Sequence, residues 1–338
     1  MANQSHPPEL AFYYPNPIWM NSDWVKNLLL FFDGIALLVP SYMKDKIEEF
    51  DPAIVCGLRE HNLLHIIEPE QAVDKAATEA LASAMTNIIA SRSLDFLARD
   101  STAFRELSRL RLGFDGDEGL AQMIFAELKK RGLAQESKDG VSIPMHPMVR
   151  SLVLTLLSQI LRPFGKRLQA ELNPVTDRSQ LVAALVEMLN LPTAPSCGHV
   201  VSFDLATVGV DLASVPMNEI LSFRQEHKER YSRYRRSVRQ FAYELSRMSN
   251  EERDLAFDAR QAELDRTAAD LRRLTRNTWK KSASFAMTLA GAAWTFATGD
   301  HLGAILAGGG ALLGAELPGD RDVGAYSYLF RARERSLY

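Results

Sequence analysis

Two short apolar runs, each halted by proline, constrain this chain more than any other feature. Residues 10–15 read LAFYYP and residues 34–40 read GIALLVP. A proline there stops a strand, because it has no N–H to give to the ladder. Between the runs lies SDWVKNLLLFF (22–32), with Ser22 or Asp23 placed to cap a helix carrying Trp24, Leu28 and Phe31 on one face. SYMKDKIEEF (41–50) reads as a further helix capped at Ser41, and LLHIIEP (63–69) as a third strand. Strands separated by helices pair in parallel, since a tight hairpin cannot span such a connection. Residues 1–70 are therefore expected to form a small α/β domain.

From 71 to 196 the apolar residues recur at three and four positions, the signature of a helical domain. EGLAQMIFAELKKRGLA (118–134) ends at Gly132, a residue suited to a left-handed stop, and QESKDGVSIPMHP turns at Asp139-Gly140 into a short extended stretch. Asp177 is placed to cap a helix in PVTDRSQLVAALVEML. CGHVVSFDLATVGVDL (197–212) is β-branched and is expected to return to the N-terminal sheet.

Residues 213–281 carry a heptad seam: Tyr231, Tyr234, Val238, Phe241, Leu245 and Met248. Ser249 and Glu252 fit a capping box that starts a second helix, with Leu264, Ala268, Leu271 and Thr275 as its seam. Two long helices joined by so short a turn form an antiparallel hairpin. The seam residues Tyr231, Tyr234, Val238, Phe241 and Leu245 are the candidates for holding a protein partner or a second copy. The same helix is basic, and Arg224, Lys228, Arg235, Arg236 and Arg239 are candidate anion-binding residues. A solvated face pairing with the acidic second helix is the competing reading.

Residues 282–318 form an Ala/Gly-rich hydrophobic hairpin, followed by a basic tail at 319–338. Its two halves fall short of the ~20 residues a spanning helix needs. It reads either as a buried hairpin or as a segment released against lipid, with Lys280, Lys281, Phe285, Leu289, Trp294 and Phe296 as membrane candidates. A net charge of −3 gives no general attraction to nucleic acid or anionic lipid. Two cysteines, Cys56 and Cys197, suit a reducing compartment, and MANQSHPPEL lacks the features of a signal peptide. A cytoplasmic protein is expected, with membrane association as the alternative.

Tyr13, Tyr14 and Pro15, then Trp24, then Asp33, Ile35 and Pro40 make a YYP…W…D-x-I…P pattern. Gly132, Leu133, His146, Pro147, Thr176 and Asp177 follow as GL…HP and TD, and EILSFR (219–224) leads into the charged helices. Over most of its length the chain thereby resembles a bacterial family of uncharacterised proteins. The resemblance implies this same domain plan and a setting among mobile or defence-associated genes; it attaches no activity.

Candidate chemistry is sparse. His61 and His65 have the spacing of a helical metal pair, but Asn62 stands where a zinc protease carries its glutamate. Cys197 and His199 are too few for a structural zinc site. The glycines at 308–310 lack the strand–loop–helix setting of a phosphate loop. Asp33, Asp204 and Asp211 flank strands and could hold a metal for phosphodiester cleavage, but such acids usually sit at the carboxyl ends of strands, where this chain has Pro15 and Pro40. Lys129, Lys130 and Arg131 could serve a winged-helix reader of DNA. The expectation is an α+β, predominantly helical, non-enzymatic interaction or scaffold protein that self-associates or holds a protein partner. It uses no metal or other cofactor, nucleic acid is not expected as a partner, and the defence setting comes from the resemblance alone. A membrane-acting effector is the alternative, and a nuclease or hydrolase the second.

Overall fold

The computed structural model describes residues 7–14, 16–19, 22–99, 103–112, 119–136, 140, 142–176, 200, 203, 204, 207, 208, 215–274, 295 and 296. The chain is α+β and predominantly helical, with a small parallel sheet. Its described strands are β1 (Glu9–Tyr13), β2 (Gly34–Leu38), β3 (Leu64–Ile67), β4 (Arg105–Ser108), β5 (Ser142–Met145), β6 (Glu171–Thr176) and β7 (Thr295–Phe296). The helices are α1 (Ser22–Leu29), α2 (Ile47–Phe50), α3 (Pro52–Glu60), α4 (Pro69–Ala72), α5 (Lys75–Ala90), α6 (Gly119–Lys130), α7 (Pro147–Ile160), α8 (Met217–Glu226), α9 (Lys228–Ser246) and α10 (Asn250–Leu274).

Two compact units partition these elements. One contains the described residues of Met1–Met20 and Phe32–Thr193, the other those of Asn21–Phe31 and Ala194–Phe296. In the first unit the parallel strands lie in the order β3-β2-β1-β6, with Ala11 of β1 opposite both Ile35 and Asn173. β1 and β2 are buried along their whole length, which is why they read as continuous apolar runs without alternation. β4 and β5 pair antiparallel apart from this sheet.

The sheet and the helical region share one core. Leu10, Phe12, Ala36 and Leu38 pack with Leu81, Met85 and Ile88 of α5 and with Leu152 and Leu156 of α7. The described residues of the sheet and of the helical region up to Thr176 fall in one compact unit. The closing strand differs from expectation. It is β6, not 197–212, where Val200, Phe203, Asp204, Thr207 and Val208 have helical backbone. Pro174 lies inside β6 without breaking it. Glu171 N–H donates to the Pro8 carbonyl (2.8 Å), so donors at 171, 173 and 175 face β1, and position 174 turns away from that ladder.

Local chemistry sets the element starts. Asp51 caps α3 by accepting the Ile54 N–H, and it also accepts Trp19 Nε1–H at 2.8 Å. Asp74 caps α5 through the Ala77 N–H. Ser41 begins a 3₁₀ turn, Ser41–Lys46, ahead of α2, and its hydroxyl donates to Glu70 instead of capping a helix. Gly34 starts β2 hard against the chain: a Cβ there would lie 2.8 Å from the Leu63 carbonyl oxygen. Gly34→Ala should therefore cost ~1–3 kcal/mol by overpacking, read as a lowered urea midpoint; an unchanged midpoint would show that the β2–β3 edge yields freely.

Candidate functional site

α8 and α9 are separated by His227, whose N–H still bonds the Phe223 carbonyl (3.0 Å) and whose ring meets Phe223 edge-on at 4.7 Å. The seam of α9 turns inward. Tyr231, Tyr234, Val238 and Leu245 are buried, and Phe241 is half-buried. Tyr231 Oη donates to the Phe31 carbonyl just beyond α1 (2.6 Å), and Tyr234 Oη donates to Asp204 Oδ2 (3.1 Å). These seam side chains pack within the chain, Phe241 only in part.

Asp204 and Arg260 form the most deeply buried ion pair described. Arg260 Nε and Nη2 donate to the two carboxylate oxygens, each at 2.6 Å, in the bidentate geometry that suits a guanidinium. Burial pushes the Asp204 carboxyl above its ordinary value, while the Arg260 guanidinium and the Tyr234 hydroxyl pull it down. Arg260 also lies 4.5 Å from the Phe241 ring centroid. Phe241 in turn meets Phe257 at 5.5 Å, and Phe257 meets Phe203 at 4.9 Å.

The basic residues divide by position. Arg233 and Arg236 are exposed. Arg224, Arg235 and Arg239 are half-buried. The guanidiniums of Arg224 and Arg235 lie 5.4 and 5.2 Å from the Tyr231 ring centroid, and Arg235 Nη1 donates to Tyr231 Oη at 3.4 Å. Burial pushes the Arg239 guanidinium down to about 10. The Lys228 side chain lies outside the described residues, as do Lys280, Lys281, Phe285, Leu289, Trp294 and the side chain of Phe296. No helix among the described residues is long and apolar enough to cross a membrane.

Two of the three acids weighed for a nuclease have folding roles. Asp33 sits at the amino end of β2, where it accepts the Glu9 N–H (2.8 Å) while its own N–H donates to the Glu9 carbonyl (2.8 Å). Asp204 belongs to the buried pair, and Asp211, Cys197 and His199 lie outside the described residues. His61 and His65 do not share a helix face. His61 follows α3 and its Nδ1 is 3.0 Å from the Gly57 carbonyl, whereas His65 is in β3, where burial lowers its pKa. Among the described residues no three His, Cys, Asp or Glu side chains group as metal ligands. The basic cluster after α6 meets acids: Lys129 bonds Glu136, and Arg131 bonds Glu127 and Asp95 at 2.8 Å each.

The motif residues behind the family resemblance also serve folding. Tyr13 and Tyr14 are buried in and beside β1, and burial holds the Tyr14 phenol well above its ordinary value. Gly132 stops α6 at φ 72°, and Leu133 N–H returns to the Leu128 carbonyl (2.8 Å). His146 caps α7, its Nδ1 accepting the Met148 N–H (3.2 Å), with Pro147 in the first turn. Neither a family model nor a curated protein nor a solved structure matches the chain. Among the described residues of the second unit, charged side chains are exposed on α9 and α10.

Proposed function

We propose that this is a non-enzymatic interaction protein, and that its partner is a second copy held through oppositely charged faces of α9 and α10. One observation carries the reading. α9 exposes Arg233 and Arg236 beside Glu229, while α10 exposes the acids Glu251, Glu252, Asp254, Asp258 and Asp265 with one base, Arg266. Within one chain the two helices read as an antiparallel hairpin. That reading is supported by the Phe241–Phe257 contact, by Arg253 Nε donating to the Leu245 carbonyl (2.9 Å), and by the capping pair at Ser249 and Glu252. A hairpin that is basic on one helix and acidic on the other is self-complementary, as a two-fold interface requires. Leu255, 68% exposed among the acids of α10, would be covered by the same contact.

Exposed charges are screened beyond a Debye length of ~8–10 Å at ordinary ionic strength, so assembly should weaken as salt rises. In sedimentation velocity the protein should self-associate at low salt, and Arg233→Glu with Arg236→Glu should leave it monomeric with an unchanged melting temperature. Mixing that variant with Asp254→Arg, Asp258→Arg should restore a heterodimer. A protein that stays monomeric at low salt at the highest concentration reached would end this reading, and so would a failure of the charge-swapped pair to assemble.

A further inference from the structure

We propose that the cleft between α5 and the 3₁₀ turn Arg162–Leu168 binds a small amphipathic carboxylate, its aliphatic tail lying along α5 and its head group at Arg167. The cleft belongs wholly to the first unit and shares no residue with α9 or α10. It can therefore fail while the assembly reading stands, and the reverse.

The cleft is half-open and holds about 340 Å³, a size that suits a small molecule. Ala76, Ala77 and Ala80 form one wall, because positions i, i+1 and i+4 share a face of α5. Ile160 at the end of α7, with Pro163 and Phe164 beyond it, forms the other. Alanine side chains stop at Cβ, which leaves space between the walls for an unbranched chain. Among the lining side chains only Asp74 and Arg167 are polar.

These two groups set the sign of the ligand. Asp74 is committed to the fold: its Oδ1 accepts the Ala77 N–H (2.9 Å), so its charge sits on the positive end of the α5 dipole. Arg167 stacks on Phe164, 5.2 Å from the ring centroid, and its Nη1 donates to the Gln71 carbonyl at 3.4 Å. Both contacts orient the guanidinium and neither partner is a carboxylate. Stacking covers a face of the guanidinium, and one hydrogen bond uses one of its five in-plane donors. The remaining donors match the paired oxygens of a carboxylate. Arg162 and Lys166 lie on the same turn, and residues 162–170 contain no acid. None of the three bases forms an ion pair among the described residues. An anionic head meets this excess of positive charge, whereas an ammonium head is repelled by it.

The test is calorimetric titration of the full chain with octanoate, hexanoate and octylammonium at neutral pH and low ionic strength. Octanoate should fill one saturable site per chain. Hexanoate, two methylenes shorter, should bind on the order of 10-fold more weakly, because less of its tail leaves water. Octylammonium, with the same tail and the opposite head, should bind at least ~10-fold more weakly than octanoate. Arg167→Gln should weaken octanoate ~10-fold, the low end for a charge-assisted contact because the group is exposed. Lys46→Gln, at an exposed position outside the cleft, should leave it unchanged. Ala80→Leu fills the cleft and should abolish binding. Ala76→Leu, at an exposed position of the same wall, is the deciding variant if Ala80→Leu fails to keep its far-ultraviolet circular dichroism. Equal binding of octanoate and octylammonium would overturn the proposal. So would the absence of octanoate binding, or binding that survives at full strength in both leucine variants.

Discussion

Asp204→Ala should destabilise the second unit by ~3–5 kcal/mol, the usual cost of leaving one member of a buried ion pair uncompensated. The carboxylate is fully buried and Arg260 is 4% exposed. Removing the acid therefore leaves a guanidinium with two stranded donors where water cannot reach, and Tyr234 loses its acceptor as well. Arg260 cannot escape by deprotonating, since a guanidinium holds its proton far above any working pH. Urea denaturation followed by circular dichroism reads the effect. Asp204→Leu combined with Arg260→Met should recover most of the loss, because an apolar pair of similar volume is often no worse than the ion pair it replaces. An Asp204→Ala midpoint equal to wild type would mean that the pair is solvated and not a keystone of this unit.

That ion pair shows where sequence legibility ended. β1 and β2 are readable because burial on both faces makes them continuous apolar runs, with prolines 15 and 40 just past their ends, whereas the half-buried β3 is readable from its short apolar run before Pro69. The caps at Gly132 and at Ser249 with Glu252 are readable because each depends on only a few neighbouring positions. β6 is hidden by Pro174, whose harmlessness depends on which way the ladder alternates, a property of the pairing and not of the strand. The segment 197–212 misleads in the opposite direction: its β-branched residues suggest a strand, yet the described positions are helical and present Asp204 to Arg260, 56 residues away. Tertiary context overrides weak propensity in this way wherever a long-range contact is strong. The seam of α9 is correct as a pattern, but heptad spacing does not say whether the facing surface belongs to the same chain. Tyr231 settled on Phe31, 200 residues earlier, which no local pattern encodes. The arginines illustrate the same limit: their spacing is visible, while the division into the exposed Arg233 and Arg236 and the half-buried Arg224, Arg235 and Arg239 comes only from the packing.

Val238→Asp separates a core seam from an interface seam. Val238 is fully buried, and a carboxylate there would have to be buried unpaired or expel the helix, a change in the class that exceeds ~4 kcal/mol. If the seam is internal, the variant loses the cooperative unfolding transition of the second unit at every protein concentration, and raising the concentration does not restore it. If the seam instead met a second copy, the same substitution would yield a stable monomer with an intact melting transition and a lost dimer. Phe241→Ala makes a finer measure, because Phe241 bridges Arg260 and Phe257 at the half-buried edge of the seam. Truncating it should cost less than the ~3–5 kcal/mol of a fully buried phenylalanine and should leave the salt dependence of assembly untouched. Arg233→Glu with Arg236→Glu should do the opposite, removing assembly at constant stability. A seam variant that alters association without altering unfolding would return Tyr231, Tyr234, Val238, Phe241 and Leu245 to the surface, and with them the view that this hairpin grips its partner through apolar knobs and not through charge.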